Sequence, residues 1–166
     1  MDKNIVLIGF MGSGKSKIAR RLAEKLRVDL MATDALIETK AQQSIDAIFK
    51  AHGEAYFRDL ESEIIKEVSL HRGIIIDCGG GVVLRKENLQ QLKTNGIVFY
   101  LQAAPEIIYE RIKNEKHRPL LNTLDPLGCI KALYNQRLPL YNQADFTIDA
   151  NDASIEGPVV EILKKI

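Results

Sequence analysis

The residues best suited to chemistry lie near the start of the chain, in the glycine-rich stretch Gly9–Ser16, which reads GFMGSGKS. An apolar run before it, Asn4–Ile8, predicts a buried strand, and the apolar residues of the segment after it, Lys17–Leu26, recur at helical spacing. A strand, a glycine loop and a helix in this order are the context in which backbone N–H groups and a helix N-terminus bind nucleotide phosphates. A solvated turn that caps a helix is the alternative, but it leaves the preceding strand unexplained.

The loop also contains the two side chains that phosphoryl transfer requires. Lys15 is placed to reach the β- and γ-phosphates of ATP and to act in catalysis, and the Ser16 hydroxyl is placed to bind Mg²⁺. The sequence therefore predicts ATP and Mg²⁺ as cofactors. The predicted nucleotide-binding residues of this stretch are Gly12, Ser13, Gly14, Lys15, Ser16 and Lys17.

The composition describes an ordinary globular chain. Its 166 residues suit one domain, spanning 1–166, with 46% hydrophobic and 27% charged residues. The net charge of +1 gives no reason to expect nucleic acid or an anionic membrane as a partner, and no apolar run is long enough to span a bilayer. We see no signal peptide, and the two cysteines, Cys78 and Cys129, lack metal or redox spacing. We expect a cytoplasmic monomer.

Strand patterns and helix patterns alternate along the chain, which predicts an α/β fold with a five-stranded parallel sheet flanked by helices on both faces. Ligands then bind at the carboxyl ends of the strands. A helix begins near Ala35, with Thr33 or Asp34 as its N-cap, and others cover Ser44–Phe49, Glu54–Leu70, Lys86–Thr94, Pro105–Lys113, Pro126–Leu138 and Ile155–Ile166. The predicted strands are Asn4–Ile8, Val28–Thr33, Gly73–Asp77, Ile97–Leu101 and Phe146–Asp149.

Two features follow the third predicted strand. Asp77 ends it at the position where P-loop enzymes place an acidic group, so we expect Asp77 to serve the metal together with Ser16. An aspartate that caps a turn is the alternative. The triplet Gly79–Gly81 lacks side chains, so its backbone N–H groups can approach a ligand closely, although a flexible turn also explains it.

Three arginines lie beside aromatic, proline or turn residues rather than in charged runs: Arg58, Arg118 and Arg137. Arginine binds carboxylate and phosphate groups through two parallel hydrogen bonds, but each of these residues alone is typical of a solvated surface. Arg118 differs, because it lies in a polar, proline-containing segment, about 114–123. Such a segment in a phosphotransferase predicts a lid that carries a charge-neutralising arginine.

Taken together, the chain resembles the shikimate kinases over essentially its whole length. The resemblance implies a P-loop kinase domain with a substrate-binding helical segment, about 34–61, and a lid. The matching pieces are Gly9–Ser16, Thr33-Asp34 with Ile37-Glu38, Ser44-Ile45 through Ile48-Phe49, Gly53-Glu54 with Phe57-Arg58 and Glu61, Gly79–Gly81, Arg118–Leu121, and Arg137 with Pro139 and Tyr141.

This resemblance implies transfer of the ATP γ-phosphoryl group to the 3-hydroxyl of shikimate, a step in chorismate and aromatic amino-acid biosynthesis. It implies that Asp34 holds the reacting hydroxyl and accepts its proton as a general base. It also implies that Arg58 and Arg137 bind the shikimate carboxylate, and that Gly79–Gly81 contact the ring hydroxyls through N–H groups.

On the nucleotide side, the resemblance implies that Arg118 closes over the transferring phosphoryl group opposite Lys15, and that Arg111 stacks on adenine. One departure concerns the metal. Related kinases usually carry an aspartate where this chain has Ala32, and a small residue where it has Asp77. We hypothesise that the carboxylate has moved from the second strand to the third.

Two other functions stay open from the sequence. One is another small-metabolite kinase, acting on gluconate or a nucleoside monophosphate, although Arg58 and Arg137 around a glycine triplet suit a carboxylated polyol better than a nucleobase. The other is a nucleotide-binding module that has lost catalysis, with Ala32 as the trace of that loss.

Overall fold

The structure is a computed structural model that describes residues 2–115 and 121–166. All strand pairs are parallel, and the strand order β2-β3-β1-β4-β5 puts β1 at the centre of the sheet. This architecture confirms the predicted fold class. The strands are β1 Asn4–Ile8, β2 Leu30–Ala32, β3 Ile75–Asp77, β4 Gly96–Gln102 and β5 Phe146–Asp149.

The helices have the predicted type, with bounds that differ by a few residues. A short 3₁₀ turn, Val82–Leu84, follows the glycine triplet and is not among the predicted elements. The helices are α1 Lys15–Leu26, α2 Thr33–Ala41, α3 Ile45–Ser69, α4 Lys86–Asn95, α5 Pro105–Ile112, α6 Pro126–Tyr141 and α7 Glu156–Leu163.

The core lies on both faces of the sheet. Along β1, Val6 and Ile8 face the side covered by α3, α4 and α6, while Ile5 and Leu7 face α1 and α7. Successive residues of a strand point to opposite faces, so a sheet covered on both sides needs strands that are apolar throughout. Every residue of β1 is buried accordingly. The central strand is therefore a rigid support for the loop that follows it.

Helix α3 bends at Gly53, whose φ of 82° and ψ of 176° lie outside the helical region. The sequence predicts two helices separated at this glycine, and the bend agrees with that interpretation. Ser44 caps the first half, because its side chain accepts a hydrogen bond from the Ala47 amide at 3.2 Å. The bend divides α3 into two helical parts, residues 45–52 and 54–69.

Two local predictions are wrong. Helix α2 begins at Thr33 after an N-cap at Ala32 that makes no side-chain cap bond, so neither Thr33 nor Asp34 is the N-cap. The Thr33 hydroxyl instead accepts a hydrogen bond from the Gly79 amide at 3.1 Å. Helix α6 continues past Leu138 through Pro139 to Tyr141, although proline disfavours a helix interior.

None of the helices in the described ranges combines the length and the hydropathy needed to cross a membrane.

Candidate active site

A cavity of about 1310 Å³ opens at the carboxyl ends of β1, β2 and β3. Its walls come from the loop after β1, the start of α2, the first half of α3, the glycine triplet, α6 and the segment after β5. The predicted site residues that line it are Gly12, Ser13, Gly14, Lys15, Ser16, Lys17, Asp34, Arg58, Asp77, Gly79, Gly80, Gly81, Arg111 and Arg137. Arg118 and the middle of the predicted lid, 116–120, lie outside the described residues.

The glycine loop curls over the N-terminus of α1. Gly12 and Gly14 have φ values of 76° and 94°, which only glycine adopts without strain. Gly14 caps α1 without a side-chain oxygen, so the first amides of the helix suit the oxygens of a bound phosphate. The Lys15 ammonium lies against the loop and donates to the carbonyl oxygens of Gly9 at 2.8 Å and Phe10 at 3.0 Å.

Ser16 and Asp77 meet where the loop passes the end of β3. The Ser16 hydroxyl donates to Asp77 Oδ2 at 2.6 Å, and Asp77 is only 8% exposed. Burial raises the pKa of the Asp77 carboxyl, while the Ser16 hydrogen bond and the charges of Lys15 and Arg20 oppose the rise. Ala32, whose place the resemblance assigns to an acidic residue, is paired in register with Asp77 on the neighbouring strand.

A hydroxyl and one carboxylate suit a magnesium ion that arrives with ATP, because Mg²⁺ keeps several waters and takes phosphate oxygens as further ligands. Over residues 2–115 and 121–166, no group of three or more acidic, histidine or cysteine side chains forms a self-sufficient metal site. The donor set at Ser16 and Asp77 therefore fits a nucleotide-bound cation rather than a permanently held one.

The Asp34 carboxylate faces the cavity from the first turn of α2. The surrounding protein raises its pKa by desolvation, and the nearby charge of Asp77 adds to the rise, whereas Lys15 and Arg58 oppose it. A carboxylate with a raised pKa has a greater affinity for a proton, which suits a group that removes one from a hydroxyl.

Arg58 is held in place by a buried acid. Its Nη1 donates to Glu61 Oε2 at 2.7 Å, and the two side chains are 12% and 1% exposed. Its guanidinium also lies over the Phe57 ring, 5.0 Å from the centroid. Burial raises the pKa of Glu61, and Arg58 opposes this rise. The sequence gives Glu61 no role of its own, although its i,i+3 spacing from Arg58 on a predicted helix is the signal for this pair.

Arg137 approaches the glycine triplet from α6. Its Nη1 donates to the carbonyl oxygen of Gly80 at 3.4 Å, and its guanidinium lies 5.8 Å from the centroid of the Phe10 ring. The structure thus places two guanidinium groups, Arg58 and Arg137, beside one glycine triplet, and guanidinium groups are suited to bind carboxylates.

Arg111 makes contacts that the sequence does not reveal. Its Nη2 donates to the carbonyl oxygens of Ala150 at 2.8 Å, Asn151 at 3.1 Å and Asp152 at 2.8 Å, and its Nη1 donates to Gly12 at 3.4 Å. These bonds use the edge of the guanidinium and tie the segment after β5 to the phosphate loop. Stacking on adenine uses the face of the group and stays a prediction.

Two aromatic side chains form an apolar part of the cavity wall. Phe49 is 36% exposed, Phe57 is buried, and both line the cavity. The two rings are in contact at a centroid distance of 4.7 Å with their planes tilted by 34°, so Phe49 extends the apolar core into the cavity wall.

The fold and the site define a P-loop phosphotransferase that acts on a small molecule. The cavity combines a phosphate loop and a serine–aspartate pair suited to a cation with a carboxylate and two arginines suited to an anionic acceptor. The comparisons with known proteins narrow this class. The sequence pattern of the shikimate kinase family, described as "Shikimate kinase", matches residues 11–166. The chain belongs to the shikimate kinase family, whose enzymes are ATP-dependent phosphotransferases.

Individual relatives agree with this assignment. The shikimate kinase of Thermodesulfovibrio yellowstonii is 44% identical over 98% of this chain and 94% of its own length. That of Caldicellulosiruptor saccharolyticus is 47% identical over 97% and 94%. The solved structure of the shikimate kinase from Acinetobacter baumannii in complex with shikimate matches with a TM-score of 0.93 at 34% identity, covering 99% of this chain and 93% of that chain.

The glycine triplet yields a graded prediction. A Cβ at position 79 would lie 2.5 Å from Asp34 Oδ1, and one at position 81 would overlap Arg58 Nη2, whereas one at position 80 meets nothing closer than 3.4 Å. We expect Gly79→Ala and Gly81→Ala to displace these side chains and lower kcat/KM by about 100-fold, because small misplacements in an active site are costly.

Gly80→Ala is the matched control, and we expect it to lower kcat/KM least of the three variants. Steady-state kinetics test this order, with thermal unfolding as a check on folding, since the displaced atoms are ends of flexible side chains. Equal losses in all three variants would contradict the close-approach explanation.

Proposed function

We propose that the protein transfers the γ-phosphoryl group of ATP to the 3-hydroxyl of shikimate, giving shikimate 3-phosphate and ADP in aromatic amino-acid biosynthesis. One observation carries the proposal: a single cavity joins a phosphate loop to a carboxylate, Asp34, and beyond it to two arginines beside a glycine triplet. An acceptor with a hydroxyl at one end and a carboxylate at the other fits this order of groups.

The acceptor is held at its carboxylate by Arg58 and Arg137. Glu61 holds the Arg58 guanidinium at 2.7 Å, and the Arg137 guanidinium lies against the Phe10 ring, so less side-chain freedom is lost when the carboxylate binds. The N–H groups of Gly80 and Gly81 contact the ring hydroxyls and set the orientation of the ring, whereas the N–H of Gly79 is already used in its 3.1 Å hydrogen bond to the Thr33 hydroxyl.

Transfer itself depends on positioning and charge neutralisation. Asp34 orients the 3-hydroxyl and accepts its proton, while Lys15 and the amides of the phosphate loop stabilise the charge on the transferring group. Lys17 and Arg111 belong to the ATP site. Arg118 lies outside the described residues, and its role in a lid that excludes water and suppresses ATP hydrolysis stays a prediction from the sequence.

Mg²⁺ neutralises charge on the ATP phosphates when it is bound. Ser16 and Asp77 are the residues that would hold it, and their 2.6 Å hydrogen bond supports this assignment because it places both oxygens at the phosphate loop. Asp77 would then take over the role that related kinases give to the position of Ala32. The register pairing of these two residues supports this exchange.

The alternative acceptors lack comparable support. A sugar kinase from Janibacter sp. HTCC2649 has a TM-score of 0.58 at 16% identity, which is a likeness of fold alone. A monomer working in the cytoplasm stays our prediction for the assembly and its location.

The acceptor test measures ADP release from Mg·ATP with shikimate, gluconate or a nucleoside monophosphate, and without acceptor. We expect release to depend on shikimate, because the chain belongs to the shikimate kinase family. ATP binding with no acceptor-dependent release would indicate the nucleotide-binding module instead. Turnover with another acceptor alone would identify a different kinase.

The variant Asp34→Asn tests the role of Asp34 as a general base. We expect it to lower activity but to raise the stability of the folded protein at neutral pH. We expect kcat to fall by about 100-fold or more, since a general base contributes that much. The raised pKa of Asp34 means that the folded state binds more protons than the unfolded state just above the ordinary aspartate pKa, so stability falls as pH rises through that interval.

The Asp34→Asn side chain carries no charge, so folding of this variant does not include the cost of burying a carboxylate. Its urea midpoint at about pH 7.5 should therefore exceed that of the wild type, and the difference should shrink as the pH falls and disappear by about pH 3, below the ordinary aspartate pKa, where the wild-type carboxyl is largely protonated in both states. A midpoint below that of the wild type at neutral pH would show that Asp34 is a stabilising group, contrary to this reasoning.

Asp77→Asn tests the cation site through ADP binding as well as turnover. Calorimetry of ADP binding with and without Mg²⁺ should show that the variant loses most of the affinity gain from Mg²⁺, about 10- to 100-fold. Ala32→Asp in the Asp77→Asn background should restore part of it, because positions 32 and 77 are neighbours in register. An unchanged Mg²⁺ effect in Asp77→Asn would exclude the assignment.

A further inference from the structure

A buried tyrosine on α6 contacts the glycine triplet from the side of the core. The Tyr141 hydroxyl donates a hydrogen bond to the carbonyl oxygen of Gly80, the same oxygen that Arg137 Nη1 reaches at 3.4 Å. Tyr141 and Arg137 are four residues apart, so they share one face of α6 and approach this oxygen together. None of the roles described so far uses Tyr141.

The Tyr141 ring is fixed by its neighbours. It is fully buried and stacks on the Tyr100 ring of β4, with centroids 5.0 Å apart and planes 10° apart. The Tyr100 and Tyr134 hydroxyls are hydrogen-bonded at 3.0 Å, and the Tyr134 ring packs on Phe10 at 5.8 Å. Phe10 also contacts Arg137, so packed aromatic rings support both of the side chains that donate to Gly80.

We propose that Tyr141 is a positioning residue for the acceptor site, which holds the Gly80 peptide and thereby leaves the Arg137 guanidinium directed at the acceptor carboxylate. This inference rests on the proposed function, in which Arg137 binds that carboxylate.

The physical reason is competition for one carbonyl. The Gly80 carbonyl has a strong donor in the Tyr141 hydroxyl and a long contact from Arg137, and a partly buried carbonyl that loses its main donor seeks another. The nearest is the guanidinium of Arg137. Without the Tyr141 hydroxyl, Arg137 is expected to shift towards Gly80, which weakens its bonds to the acceptor.

The tyrosine is suited to this role at any working pH. Burial raises the pKa of Tyr141 to about 12, with the charge of Arg137 opposing the rise, so the hydroxyl keeps its proton and stays a donor. A serine or threonine on α6 is too short to reach the triplet from a core position, whereas a stacked aromatic ring spans the distance rigidly.

The test is Tyr141→Phe, which removes the hydroxyl and keeps the ring. We expect the KM for shikimate to rise about three- to tenfold, the effect of one hydrogen bond, with little change in the KM for ATP. Tyr100→Phe is the matched control, because it also removes a buried, hydrogen-bonded hydroxyl but does not contact Gly80. We expect its KM for shikimate to stay within about twofold of the wild type.

A double-mutant cycle with Arg137→Lys identifies the route. If Tyr141 acts through Arg137, Tyr141→Phe should raise the KM for shikimate much less in the Arg137→Lys background than in the wild type. Equal effects of Tyr141→Phe and Tyr100→Phe, or additive effects with Arg137→Lys, would overturn the proposal. A wild-type enzyme without shikimate-dependent turnover would instead refute the proposed function, so the two failures are distinguishable.

Discussion

The parallel pairing of β1 with β3 is the constraint on which the site depends. Leu7 is paired in register with Asp77, and the Cys78 amide donates to the Leu7 carbonyl at 3.1 Å. Both strands end at the same edge, so the phosphate loop and the segment that begins at Asp77 leave the sheet side by side. Backbone hydrogen bonds between buried strands thus hold the phosphate loop and the glycine triplet next to each other.

The charges of the site are arranged at a cost to stability. Desolvation is the main cause of the raised pKa values of Asp34, Glu61 and Asp77. The charged form of each carboxylate is therefore less stable in the folded protein than in water. Lys15 and Arg58 offset part of this cost without removing it. The apolar core on both sides of the sheet supplies the stability that holds these groups in place, which is the usual relation between a folded scaffold and a strained active site.

The sequence predicts the parts of this structure that local pattern determines. The phosphate loop, the alternation of strands and helices, and the break at Gly53 follow from spacing and from the conformational preferences of glycine. Contacts between segments far apart in the chain do not: the Thr33 hydroxyl bonds Gly79, and Arg111 bonds three carbonyls after β5. Such hydrogen bonds leave no periodicity in the sequence.

The C-terminal end of helix α6 is another feature that the sequence predicts wrongly. Proline is a reliable breaker in sequence reasoning, so Pro139 suggests a helix end at Leu138, yet the helix extends to Tyr141. Tertiary packing decides the matter, because ending the helix early would remove Tyr141 from its stack with Tyr100 and from Gly80. Local rules exclude Tyr141 from the helix because it follows Pro139, and its contacts with Tyr100 and Gly80 keep it there. The same contacts hold the glycine triplet that lines the cavity.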